Sequence, residues 1–381
     1  MEGRLTGAPA AGDTGAGECA EYLTRQLITY LGNKRALLSP LRDAVDTVRR
    51  RLGQPKLRIL DAFSGSGVVS RALKAHASEL VANDIEGYAR AISECYLSNR
   101  STADLAAARD AAARLNAVVD SAPLGPGFIE RLYAPRDEAD ITLADRVFYT
   151  RANARRLDNY RRLLDPYPPE VVTLLLGPLL AEASVHANTA GVFKGFYKDR
   201  HTGIGKFGGS GADALGRIRG EIRLTAPVLS RFECAYRVCQ LDANELVRRE
   251  GGFDLAYFDP PYNQHPYGSN YFMLNLLVDY REPAEISRVS GIPTGWRRSD
   301  YNVRSRSLAR LAELVETVDA RFVLLSFNDD GFVRPEQLRA ILERVGRVEV
   351  VDRVYNTFRG SRNLRNRSLH VTEHLFLTEK Y

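Results

Sequence analysis

A short apolar run, Leu57 to Leu60, leads through Asp61-Ala62-Phe63-Ser64-Gly65-Ser66-Gly67 into a helical pattern over Val68 to Ala77. Few features restrict a fold more. Strand, glycine-rich turn and helix in that order make the first βαβ half of a nucleotide-binding α/β sheet. Gly65 and Gly67 allow a sharp turn and a close approach of main chain to a ligand. Ser70 stands where the third glycine of a dinucleotide fingerprint belongs, and no Gly-Lys-Ser or Gly-Lys-Thr of a phosphate loop follows. A loop without pyrophosphate-binding features suits a cofactor with an amino-acid tail, such as S-adenosylmethionine. The next strand, Leu80 to Asn83, ends in Asp84, about twenty residues past the loop, where an acid typically accepts hydrogen bonds from ribose hydroxyls. Asp84 is equally suited to cap the helical pattern Gly87 to Leu97.

A second motif carries the chemistry. Asp259-Pro260-Pro261-Tyr262 ends the apolar stretch Leu255 to Phe258, so a carboxylate, two imino acids and an aromatic ring stand at the mouth of a buried strand. The exocyclic amine of a nucleobase is a poor nucleophile because its lone pair is delocalised into the ring. A carboxylate and a backbone carbonyl that accept its two hydrogens favour a pyramidal nitrogen with the pair freed. Pro260 holds such a carbonyl at a fixed angle, and Tyr262 offers a face for an extruded base. An ordinary proline-terminated strand and turn is the competing reading.

Further strands are expected at Tyr236 to Leu241, Phe322 to Ser326, Val348 to Val351 and Leu369 to Leu377, with helices over Ser307 to Ala320 and Pro335 to Val345. Alternation of strands and helices predicts an α/β fold: a mainly parallel sheet covered by helices on both faces, closed by an antiparallel hairpin.

With these pieces in place, the chain resembles the DNA adenine methyltransferases whose motifs run in the order cofactor loop, target-recognition insert, Asp-Pro-Pro-Tyr. The resemblance covers most of the chain from about Tyr22. It implies a Rossmann-like methyltransferase sheet and S-adenosylmethionine as cofactor. Lys34 of Gly32-Asn33-Lys34 would contact the methionine carboxylate, with Tyr30 at the aromatic position before it. Asp61, Phe63, Gly65 and Gly67 would form the cofactor loop, Asp84 the ribose acid, and Asp242 the residue bracketing the cofactor adenine. Asp259 would adjoin both cofactor and base. The resemblance further implies double-stranded DNA as substrate, in restriction–modification with a cognate restriction endonuclease or as a solitary methylase. The same framework serves cytosine amino groups or RNA. Serine in place of Asp259 would favour cytosine; aspartate favours adenine. A nucleic-acid-binding protein with a decayed transferase core is the alternative from another class.

The domain division expected is a disordered tail over 1–21, a first catalytic part over 22–110, an insert over 111–230 and a second catalytic part over 231–381. The insert is long for the class, so no recognition sequence transfers to this chain. Two basic regions point to nucleic acid. Glycines alternate with lysines and aromatics from Gly191 to Gly211, with Lys194, Lys198 and Lys206 beside Phe196, Tyr197 and Phe207. Five arginines between Arg353 and Arg367, among them Arg359, Arg362 and Arg365, carry no acid between them. Arginine among asparagines and aromatics suits phosphate contact; solvated surface loops are the plainer reading of both. The net charge is +6. The four cysteines lack metal-ligand spacing, so neither zinc nor a disulfide framework is expected, and the chemistry asks for no metal. No apolar segment suits a signal or a membrane span, which predicts a cytoplasmic protein.

Overall fold

The computed structural model describes residues 17–121, 125–209, 214–328, 331–356 and 370–381. Seven strands form one sheet: β1 Leu57–Asp61, β2 Ala77–Asn83, β3 Ala235–Cys239, β4 Phe253–Phe258, β5 Ala320–Asn328, β6 Gly346–Asn356 and β7 His370–Lys380. Their spatial order is β3-β2-β1-β4-β5-β7-β6. β1 pairs in parallel with β2 and β4, β2 with β3, and β4 with β5. β7 runs antiparallel between β5 and β6, which is the closing hairpin expected from the sequence. The Rossmann-like methyltransferase arrangement is therefore present.

The continuous apolar character of β1, β4 and β5 follows from their burial on both faces. Successive side chains point to opposite sides of a strand. Ile59, Leu80, Leu255 and Leu324 accordingly pack with Leu41, Val45 and Val48 of the helix Leu38–Leu52. Leu60, Val81, Ala256 and Leu325 pack the other way, onto Leu246, Leu311, Leu314 and Leu338. Leu60 is fully buried, and its replacement by alanine should cost ~2–5 kcal/mol.

The third core cluster joins the long insert to the sheet domain. The helices Leu105–Ser121, Phe128–Tyr133, Arg151–Leu164 and Pro169–Val185 share apolar contacts with Gly87–Tyr96 and Phe272–Asp279. Pro169–Val185 contains Gly177 and Pro178. Gly177 lets this helix ride close to its neighbour, since a Cβ there would sit 2.7 Å from Cys95 Sγ. Pro178 has no N–H for the carbonyl of Leu174, four residues earlier; the Cys95 thiol donates to that oxygen instead, at 3.5 Å.

Residues 17–21, expected as part of a tail, are tied down. Glu18 is buried and accepts from Ser230 Oγ and, at 2.9 Å, from Arg231 N. The Gly191–Gly209 segment also differs from the open strip expected. Phe196 packs on Phe148, Lys198 and Gly205 form an antiparallel bridge, and a Cβ on Gly205 would lie 2.4 Å from Val147. Its glycines serve packing as well as turning, so the segment is a small docked hairpin. Among the described residues no helix is long and apolar enough to cross a membrane.

Candidate active site

Strand order reverses between β1 and β4, and in open α/β sheets ligands bind beyond the carboxyl ends of the strands at that switch point. Both motifs singled out from the sequence emerge there. Asp61 ends β1 and the glycine loop follows; Asp259 follows β4 directly. Between them lies a cavity whose wall includes Phe63, Asp84, Asp242, Asp259 and Tyr30.

The loop backbone needs its glycines. Gly65 and Gly67 have φ of +50° and +73°, a region that costs any residue with a Cβ. A Cβ on Gly65 would also strike the Tyr30 hydroxyl at 2.8 Å. Asp84 braces this turn from β2: Oδ2 accepts from Gly65 N at 2.8 Å and Oδ1 from Glu86 N at 2.9 Å. Asp242 caps the helix Ala243–Arg249, accepting from Asn244 N and Glu245 N, and pairs with Arg310 at 2.9 Å. It faces the cavity beside Leu241, Ala243 and Phe63. Phe63 meets Tyr301 edge to face at 5.3 Å, which gives this end of the cavity aromatic carbon beside Asp242 and Asn302.

The opposite side is strongly acidic. Asp61 is fully buried behind the cavity wall, with Ser70 Oγ donating to Oδ2, no well-formed hydrogen bond at Oδ1, and the Phe63 N–H close enough to favour its charge. Burial pushes its pKa up to about 7, although the Ser70 hydrogen bond opposes the shift. Burial likewise raises Asp84 to about 6, against the backbone N–H groups that favour its charge. Glu86, buried and accepting from Asn275 Nδ2 at 2.7 Å, is raised by burial to about 7. Carboxylates held this far above their ordinary range mark a site short of positive charge.

Lys34 is the cation nearest the reacting end. Asn33 caps its 3₁₀ turn by accepting from Arg35 N, and the buried ammonium lies 3.0 Å from Asp259 Oδ1 and 2.6 Å from Glu373 Oε1. Burial works against the Lys34 charge, but the two carboxylates outweigh it and hold the pKa well above the usual lysine range. Asp259 is raised to about 7 by burial, which Lys34 opposes and Glu373 reinforces. Ser326 Oγ, on β5, donates to Glu373 at 2.6 Å. Pro260 and Pro261 carry the chain to Tyr262, whose ring meets Phe327 edge to face at 5.9 Å and has Lys34 Nζ 5.7 Å from its centroid.

Tyr30 stacks against both Tyr267 and Tyr271, with centroids 5.0 and 4.9 Å away, and those two rings stack on each other at 6.0 Å. Arg297 donates to the Ile85 carbonyl at 2.6 Å and, with Ser299 and Asn302, covers the cavity. The segment His265 to Tyr301 thus closes over the site. Lys194 is exposed on the insert hairpin and Lys198 Nζ rests 4.9 Å over the Phe196 ring. The Lys206 main chain is held to Asn188 and Tyr197. Phe193, also in this hairpin, donates its N–H to Asn270 O at 2.7 Å, eight residues beyond Tyr262. Arg359, Arg362 and Arg365 lie outside the described residues.

Sequence reasoning missed Glu373, Glu86 and Tyr301. Glu373 had one faint signal, a carboxylate just ahead of the apolar run Leu375 to Leu377.

Comparison with known proteins matches this arrangement. The profile of the D12 class N6 adenine-specific DNA methyltransferases matches residues 30–123 and 217–340, more than half of the chain. The Type II methyltransferase M.NlaIII of Neisseria lactamica is 26% identical over 364 residues, 93% of this chain and 99% of that protein. The Type II methyltransferase M.CviAII of Paramecium bursaria Chlorella virus 1 is 25% identical over 340 residues, 87% and 93% of the two chains. Modification methylase StsI of Streptococcus sanguinis is 23% identical over 339 residues, 85% of this chain and 47% of its own. The unmatched stretch 124–216 lies between β2 and β3. On the matched span, the chain belongs to the D12 class N6 adenine-specific DNA methyltransferases.

Proposed function

We propose that the chain methylates the N6 amino group of an adenine within a specific sequence of double-stranded DNA, using S-adenosylmethionine, with the target base swung out of the duplex. The observation that carries this reading is Asp259, which belongs at once to the acidic cavity and to the Asp-Pro-Pro-Tyr segment. The cavity fits the donor on its own chemistry. Its wall carries the raised carboxylates Asp84, Glu86 and Asp259, Asp61 stands directly behind it without a well-formed hydrogen bond at Oδ1, and the Phe63–Tyr301 end offers aromatic carbon to a ring. In this reading Asp61 serves the ammonium of the amino-acid tail, with Tyr30 and the Gly65–Gly67 turn shaping that end. Asp84 takes the ribose and Asp242 the rim of the adenine slot. Lys34 stands near the tail carboxylate but has two protein carboxylates of its own. When bound, the donor supplies an electrophilic methyl group on a sulfonium.

On the base side, Lys34 occupies Asp259 Oδ1, so Oδ2 is the oxygen for one hydrogen of the target amine. The Pro260 carbonyl accepts the other, Pro261 stiffens the turn, and Tyr262 supplies a stacking face. Asp259 then holds the proton that the methylated nitrogen must lose. The rate comes mainly from positioning. Lys194, Lys198 and Lys206 on the insert, and Arg359, Arg362 and Arg365, are assigned to DNA phosphates. The names of the relatives support a restriction–modification setting with a cognate endonuclease.

The test is to incubate the protein with duplex DNA and methyl-labelled S-adenosylmethionine, then digest the DNA to nucleosides. Label in N6-methyldeoxyadenosine at one short sequence is expected. Label in N4-methylcytosine, in RNA only, or nowhere would overturn the reading.

A further inference from the structure

One acid near the reacting end touches neither cavity nor base. Glu373 is fully buried on β7, and β7 is separated from β4 by β5. A single carboxylate suffices to neutralise the Lys34 ammonium, and Asp259 already lies 3.0 Å from it. A second buried carboxylate in the same cluster costs several kcal/mol of desolvation unless it is well paired. Glu373 is well paired: Lys34 Nζ at 2.6 Å and Ser326 Oγ at 2.6 Å both donate to its Oε1. The outcome is a cluster of two carboxylates and one ammonium, with the ammonium drawn closer to the carboxylate that meets no substrate.

We propose that Glu373 is a positioning residue for methyl transfer: by clamping the Lys34 ammonium from behind, it fixes both the place and the charge of the Asp259 carboxylate. The proposal rests on Asp259 being the carboxylate that grips the target amine. Lys34 then acts on Asp259 and is held off full neutralisation of it, which leaves Asp259 basic enough to keep the departing proton. The groups facing Asp259 are Lys34 from the N-terminal turn and Glu373 from β7. Asp61 stands at the end of β1, Tyr257 within β4, and Tyr262 and Tyr267 follow β4. Among them Lys34 favours the charged carboxylate and Glu373 opposes it.

The signs of two near-isosteric replacements are therefore opposite. In Glu373→Gln, Lys34 acts on Asp259 alone, and the acid limb of kcat/KM for DNA, taken at saturating methyl donor, should move to lower pH by about half a unit or more. In Lys34→Gln the limb should move to higher pH. A role confined to packing would lower the rate equally at every pH and leave the limb in place; that result, or shifts of the same sign, would overturn the proposal. Should either single variant fail to fold, the double variant Lys34→Gln/Glu373→Gln leaves no buried charge of the pair unmatched. Its limb should lie above that of the unaltered enzyme, because the lost cation outweighs the lost anion, and an unmoved limb would again overturn it. Asp259→Asn, assayed alongside, separates the two ideas. If that variant keeps its rate, the role of Asp259 falls; if it is inactive while the limbs do not move, only the clamp falls.

Discussion

The carboxylates of the sheet's reactive end and those of the helical insert are managed in opposite ways. In the insert they are matched with arginine. Arg155 and Arg151 bind Glu130 and hold its pKa below the ordinary range, and Arg156 and Arg223 do the same for Asp120. Others are held by hydrogen bonds, Asp145 by Thr142 and Arg136 N and Asp199 by Thr202 and His201 N; Asp158 caps the helix Phe128–Tyr133 through Ile129 N and Glu130 N, takes the Tyr280 hydroxyl at 2.8 Å, and alone of these is raised by burial. At the reactive end Asp61, Asp84, Glu86 and Asp259 are all raised, and one buried ammonium serves the cluster around Asp259. Charge in the insert is balanced within the fold. Charge at the site is left to be balanced by something that arrives, which lowers stability where binding will restore it.

The comparison breaks most sharply at Asp259. Asp259→Ala should reduce methyl transfer by ~10³-fold or more while donor binding, measured by calorimetry, changes little; an active variant would remove the reason for the site's acidity. The pH dependence of donor binding comes next. Asp61 and Glu86 hold protons up to about pH 7, and Asp84 to about 6, in the free protein. A cationic donor needs them ionised, so its affinity should rise about tenfold or more between pH 5 and pH 8. An affinity flat across that range would mean the carboxylates are not what the cation meets.

Stability provides a smaller effect with a definite sign. A carboxylate whose folded pKa is raised binds more protons folded than unfolded, so its penalty is absent below its unfolded pKa and grows as pH rises toward 7. Glu86→Gln should therefore stabilise the free protein by ~1–3 kcal/mol at pH 8 and by little at pH 4. Glu130→Gln should do the reverse, destabilising at pH 8 and losing its effect as pH falls through the depressed pKa. Denaturant unfolding at the two pH values reads both. Smallest is the DNA term: Lys194→Ala with Lys206→Ala should lower the salt dependence of DNA affinity by about one unit of slope per lost phosphate contact, as should Arg362→Ala with Arg365→Ala. Unchanged slopes would leave these side chains as solvated surface.

The sheet's reactive end was largely legible in sequence because its signals are local. The run Leu57–Gly67, the acid at Asp84 and the motif at Asp259 each declare a strand end within a few residues. The insert was not, for a local reason too. Phe193 and Phe196 among glycines and lysines read as a nucleic-acid surface, whereas they are buried against Phe148. The helix Pro169–Val185 was obscured by Pro178, which is tolerated only because Cys95 arrives from elsewhere to satisfy Leu174. Glu373 was hidden by distance, since its partner Lys34 stands 339 positions earlier. Nothing near either residue announces the other.

That separation has a consequence for synthesis. β7 is the final strand of the described chain to leave the ribosome, yet it threads between β5 and β6 and delivers the anion that Lys34 awaits. Until it docks, an ammonium destined for the interior has one partner too few. A nascent chain with every recognisable motif already exposed should thus remain silent toward the genome until that last strand slides home.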